Sequence, residues 1–172
     1  MADYITDLTK SPIENLVGLV NAQNNFGYSV AEVAVRNLAA VVPPDGHTYN
    51  TTVELDPLTN EVDGDYVLFQ YRRMDLDTLF SQVTPAIHQA LVPLDETGVP
   101  ASAEGFYAEV LRKYGVNMNT TDFTFVKKSA GVITVSATDS NVAYIGSVDF
   151  AINSSLAARV ATVKLSGFSL AA

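Results

Sequence analysis

TYNTTVELDPLTNEVDGDYVLFQYRRMDLDTLF, residues 48 to 80, carries the plainest statement of the fold. Tyr49, Thr51, Val53 and Leu55 fall on one parity and Asn50, Thr52 and Glu54 on the other, which is the period of a half-buried strand. Asp56-Pro57 ends that run, and a polar loop containing Asp63-Gly64-Asp65 follows. Tyr66 to Tyr71 is a second β-rich run, so the pair predicts an antiparallel hairpin. Asp75 then stands where an N-cap belongs, ahead of the apolar Leu76, Leu79 and Phe80 of a short helix. The unit is strand, hairpin, strand, helix.

Toward the N-terminus, Ser11-Pro12-Ile13-Glu14 has the form of a capping box with proline at the first helical position, where a missing N–H costs nothing. Ile13, Leu16, Val17 and Val20 share one face of that helix, which runs out at Asn24-Asn25 before Gly27. Such a face packs on the protein's own sheet more often than on a partner. Residues 1–10 read as an N-terminal arm. Tyr28 to Val42 is ambiguous, because Ser29 and Glu32 imitate a second capping box while the valines favour a strand. We read Glu32 to Leu38 as a strand, ended by Pro43-Pro44-Asp45-Gly46.

Toward the C-terminus, Ser81 to Leu91 reads as helical around Thr84-Pro85, and Pro93 to Ser102 as a loop. A second main helix is predicted over Ala103 to Tyr114, where Phe106, Tyr107, Val110, Leu111 and Tyr114 recur at helical spacing and Gly115 supplies a C-terminal cap. Strands follow from Phe123. Val132 to Ala137 alternates, Thr138 to Asn141 reverses the chain, and Ala143 to Ile152 is a long β run with a bulge expected at Gly146. Residues 154–172 read as a last strand or a docking tail, with Val160, Thr162, Lys164 and Ser166 alternating with Ala161, Val163 and Leu165. The run ITVSATD to YIGSVDFAI echoes TTVELDP to GDYVLFQY, which predicts two hairpins of one kind in one sheet. The expected fold is a single α+β domain over 1–172: an antiparallel sheet of about five to six strands with the two main helices on one face.

Composition narrows function by exclusion. A chain of 172 residues with 48% hydrophobic and 17% charged content buries a core without staples and is too apolar for disorder. Ten Lys and Arg against nineteen Asp and Glu give a formal net charge of −9, which repels phosphate backbones, so no direct nucleic-acid partner is expected. There is no cysteine, hence no disulfide and no Cys-ligated zinc. The first residues, MADYITDLTKSP, lack the apolar stretch of a secretory signal, and no run approaches the ~20 apolar residues of a membrane helix, so synthesis in the cytoplasm and no membrane partner are expected.

Site chemistry is sparse. The two histidines, His47 and His88, stand far apart and form no ligand pair. The acids from Glu54 to Asp77 resemble a cation site at first, but Asn60 to Asp65 lacks the alternate ligands of a calcium loop and reads as turn and capping residues. No nucleophile-elbow, dinucleotide or P-loop motif occurs, so no catalytic, metal or cofactor residue is assigned and the chain reads as a non-enzyme. The best polar feature is Arg72-Arg73 ahead of Asp75 and Asp77, where a guanidinium–carboxylate pair would fix the strand-to-helix corner or join two subunits. Phe168 and Leu170 of the apolar tail complete the candidate interaction residues. Tyr4, Tyr28, Tyr49, Tyr66 and Tyr107 leave open a receptor- or carbohydrate-binding module, though most are better explained as core and strand residues.

Three motifs in order, Asn50-Thr51-Thr52-Val53-Glu54-Leu55, Tyr71-Arg72-Arg73-Met74-Asp75-Leu76 and Tyr144-Ile145-Gly146-Ser147-Val148-Asp149-Phe150, resemble a family of virion structural proteins of large tailed bacteriophages. The resemblance implies virion assembly without naming a position; we read the chain as a particle component that works by repeated protein contacts in the tail, baseplate or collar, with a head decoration protein as the alternative. It implies other virion proteins and further copies of itself as partners, and the virion as its location.

Overall fold

The computed structural model describes residues 5–58, 66–83, 88–90, 102–129 and 131–152. The α+β class is as expected. Helix α1 (Pro12–Asn24) starts at a complete capping box: the Ser11 hydroxyl accepts from the Glu14 N–H, and the Glu14 carboxylate accepts from the Ser11 N–H at 2.8 Å. It ends at Asn25, whose left-handed backbone (φ 57°) returns the cap N–H to Asn21. Leu16, Val17 and Val20 are its buried face. The second serine–glutamate pair is also real, but it caps only one 3₁₀ turn, Val30–Glu32, before strand β1 (Val33–Ala40) begins.

Strand β2 (Thr51–Pro57) buries Thr51, Val53, Leu55 and Pro57 on one face, and strand β3 (Val67–Tyr71) returns antiparallel to it, with Val53 opposite Phe69. β1 pairs with the other edge of β2, which makes a three-stranded sheet in the order β1-β2-β3. Strand β4 (Met74–Asp75) leads straight into α2 (Leu76–Val83), where the Asp75 carboxylate accepts the Thr78 N–H at 3.0 Å, the predicted cap. Helix α3 (Ala103–Tyr114) is capped by Ser102 and closed by Gly115 at φ 69°.

The second sheet has the order β5-β9-β7-β6, from His88–Ala90, Ser147–Ile152, Val132–Ala137 and Phe123–Ser129. Its β6, β7 and β9 are antiparallel and β5 is parallel to β9. Strand β8 (Tyr144–Ile145) pairs in parallel with β4, and Gly146 (φ +77°) separates it from β9.

Four expectations change. The two echoing hairpins exist, but β2–β3 and β7–β9 belong to different sheets, because the turn at Gly146 gives the two halves of the run 143–152 different partners. The main helices divide accordingly. Leu16 and Val20 of α1 pack with Val53 and Leu55, whereas Phe106, Tyr107, Val110 and Tyr114 of α3 join the larger cluster around Ile133, Val135 and Phe150. The helix expected over Ser81 to Leu91 stops at Val83, and His88–Ala90 is a strand in register with Phe150 to Ile152: an open sheet edge outweighs local helical propensity over so short a run. The expected arm is tied down from Asp7 onward, since the side chain of Asn15 bonds both backbone groups of Asp7 and the Asn117 N–H donates to Leu8.

Candidate functional site

The predicted Arg–Asp corner is a seam between the two sheets, and its chemistry differs from the expected ion pair. Arg73 is 7% exposed. Its Nε donates to the Thr51 hydroxyl at 2.8 Å and its Nη1 to the Asn141 carbonyl at 2.9 Å. Among the described residues no carboxylate pairs with Arg72 or Arg73. Asn50 completes the clamp. Its side chain accepts the Arg73 N–H at 2.8 Å and donates to the Arg73 carbonyl at 3.2 Å, and its Oδ1 also takes the Thr51 hydroxyl. A guanidinium removed from water in this way keeps its charge solvated by oriented dipoles rather than by a counter-ion.

Three consecutive carbonyls of the segment after β7 receive the strand that leaves β3. Asn141 accepts from Arg73, Val142 from the Tyr71 hydroxyl at 2.6 Å, and Ala143 from the Met74 N–H at 2.9 Å. Val142 lies in the smaller apolar cluster while Tyr144 lies in the larger, so this segment stitches the two cores together. Asn141 itself is fully buried, donating to Asp122 and accepting from the N–H groups of Ala143 and Tyr144. Burial pushes the Tyr71 phenol up to about 12, against a smaller opposite pull from the Arg73 charge. Asp75 closes the corner. A Cβ on Gly146 would collide with its Oδ2, so Gly146 serves both a positive φ and a close approach.

Of the predicted site residues, the structure brings Arg73 and Asp75 into this seam, on opposite sides of Met74. Arg72 and Asp77 are exposed beside it, and Arg72 lines a cleft of about 290 Å³ with Arg73, Asp75 and Thr78. Phe168 and Leu170 lie outside the described residues, as do the loop acids Glu61, Asp63 and Asp65. Asn50, Thr51 and Asn141 were not singled out from sequence. Asn50 and Thr51 belong to the first quoted motif, yet an Asn-Thr pair at the start of a strand carries no visible sign of a buried arginine. The three motifs meet here: Asn50 and Thr51 hold Arg73, and Asp75 abuts Gly146.

A second feature is the free edge of β3. In the order β1-β2-β3 the outer side of β3 has no partner strand among the described residues. Tyr66 to Tyr71 contains no charge, proline or glycine, and Tyr66, Val67 and Leu68 are 52%, 47% and 56% exposed. Two other outer strands, β1 and β6, are blunted. β1 has a bulge between Arg36 and Ala39 with Asn37 at φ 47°, and β6 has a bulge after Lys127 and the lysine pair Lys127-Lys128.

Among the described residues no three His, Asp or Glu side chains gather as metal ligands, and no helix is long and apolar enough to cross a membrane. His47 stacks obliquely near Tyr49, with ring centres 5.7 Å apart, and Tyr107 is a core residue bonded to the Phe123 carbonyl. The architecture and its polar seam define an α+β fold of two main sheets and a two-stranded parallel pair, with an exposed, uncharged strand edge. The chain belongs to a family of unknown function, DUF7941, which matches residues 6–171. No curated protein and no solved structure matches it.

Proposed function

We propose that this protein is a structural component of a tailed-bacteriophage virion, without catalytic activity, that works through repeated contacts with other virion proteins and with copies of itself in the tail, baseplate or collar. The observation that carries the proposal is the contrast among sheet edges. Exposed edges template strand addition, and proteins that remain single blunt them with charges, prolines or bulges. β1 and β6 are blunted and β3 is not. The buried seam adds a rigid junction, which suits a subunit that must hold one shape through many copies. The motif resemblance supplies the particle.

The test is the mass of the purified protein by light scattering across a concentration series, together with mass spectrometry of purified particles. Assembly beyond the monomer and a defined copy number in the particle are expected. A persistent monomer that is missing from particles and binds glycans would replace this reading with the receptor-module one.

A further inference from the structure

We infer that the open edge of β3 is covered by residues 158–169 of a second copy of this chain, added to the sheet as a fourth strand. The inference rests on the assembly reading and names its contact. Three observations converge on it.

The first is shape. The β3 edge, which has no partner strand among the described residues, runs along an uninterrupted, uncharged strand, and the segment ARVATVKLSGFS, residues 158 to 169, is a further stretch of the sequence that alternates as a strand does. Its two parities match the two faces it would extend. Ala161, Val163 and Leu165 would continue the inner face, where Val53, Leu55 and Phe69 pack beneath α1, while Thr162 and Lys164 would continue the outer face of Thr52, Glu54 and Gln70.

The second is charge. Residues 153–172 hold Arg159 and Lys164 and no acid, so all nineteen acids of the chain lie in the remainder. On the outer face Glu54 is directly opposite Leu68, and its carboxylate is bonded to the neutral Asn37 amide rather than to a cation. Asp56 is already paired with Arg36. The segment's net charge of +2 faces a remainder of −11 (−9 less +2), so the acidic body of one copy attracts the segment of another while the two bodies repel on balance.

The third is reach. Twenty residues follow Ile152, and a chain of that length spans up to roughly 65 Å when extended, enough to leave one subunit and lie on the next. The family match extends to residue 171, so the segment lies in the region that the family shares.

The absence of native cysteine makes the test direct. Tagged Leu68→Cys protein is mixed with untagged Thr162→Cys protein, both positions lying on the outer face, treated with a short bis-maleimide and resolved under denaturing conditions. Leu68 is exposed, so its replacement spares the core, and Glu104→Cys, at an exposed position of α3, reports random collision. A mixed covalent dimer between Leu68→Cys and Thr162→Cys is expected, well above the Glu104→Cys control. Added to that mixture, a Leu68→Lys chain ending at residue 157 should compete poorly as an unlabelled edge and the Leu68→Glu chain ending at residue 157 well, because the arriving strand is cationic. Dominant Leu68→Cys homodimers would mean that two β3 edges pair with each other. A double Leu68→Cys, Thr162→Cys chain that links only within itself would mean that the edge holds its own tail. Either result, or no link above the control, overturns the inference. Light scattering separates this failure from that of the assembly reading. If a chain ending at residue 157 assembles as the full chain does, the tail contact is wrong and assembly stands; if the full chain never assembles, both fall.

Discussion

The two sheets solve the same packing problem with different materials. Around α3 the core is aromatic: Phe150 meets Phe80 at 5.1 Å and Phe106 at 5.5 Å, both edge-to-face, and Tyr114 at 6.1 Å. Around α1 the buried residues of the cluster are Leu16, Val20, Val53, Leu55 and Val142, with no aromatic ring among them. Large rings bury more area per residue and leave larger holes when removed. The aromatic half therefore carries most of the stability, and the aliphatic half depends on the seam that joins it to its neighbour.

Phe150→Ala tests the strong half and has the largest expected effect. Phe150 is fully buried at the meeting point of three rings, and its truncation should cost about 4 kcal/mol of unfolding free energy by chemical denaturation. A loss below about 1.5 kcal/mol would mean that the aromatic cluster collapses around the vacancy and that the contrast between the halves is misplaced.

Arg73→Met tests the seam. The substitution keeps apolar volume but deprives the Thr51 hydroxyl and the Asn141 carbonyl of their donor, at an expected cost of about 3 kcal/mol. More telling is where the loss appears. Amide exchange should accelerate in α1, β2 and β3 before it does in α3 and β7. Uniform acceleration through both halves would show that Arg73 is only one more core contact.

The expected strand and helix elements were legible because their signals are local: a capping box at Ser11 and Glu14, alternation at Thr51 to Leu55, a helical stripe with Gly115 behind it. The seam was half legible. Arg73 and Asp75 stood out as charged residues at a strand-to-helix corner, and charge alone suggested that they pair. Their actual partners are a hydroxyl 22 positions away and a carbonyl 68 positions away. Backbone carbonyls are present at every residue, so no side-chain pattern announces which one an arginine will reach. The split into two sheets was hidden for a related reason, since one glycine at Gly146 redirects a run whose composition is continuous. The β5 strand was masked by a proline-flanked sequence that resembles a helix start.

Val53→Ala tests the weaker half. Val53 is fully buried between α1 and the first sheet, and removing its two methyl groups should cost about 2 kcal/mol, less than Phe150→Ala by the difference in buried area. Equal costs for the two would dissolve the distinction between an aromatic anchor and an aliphatic dependant.

Tyr71→Phe is the gentlest probe and sharpens the comparison through pH. The substitution removes one hydrogen bond from the seam, leaving the Val142 carbonyl without the phenol, and should cost about 1 kcal/mol at neutral pH. Tyr71 and Tyr107 are both raised from 10.0 to about 12, chiefly by burial. A folded pKa above the unfolded one means that the native state holds the proton more tightly, so the stabilisation is complete below pH 10 and is lost as the pH climbs toward 12. Wild-type protein should therefore lose stability steeply across that alkaline window, with Tyr71→Phe and Tyr107→Phe each removing part of the slope. The halves should separate in order. Exchange at alkaline pH should loosen the first sheet in the wild type and spare it in Tyr71→Phe, because a phenolate at Tyr71 would face the Val142 carbonyl across the bond that joins the two cores. If Tyr71→Phe leaves the alkaline slope unchanged, the phenol is not buried in solution and the seam is looser than its hydrogen bonds describe.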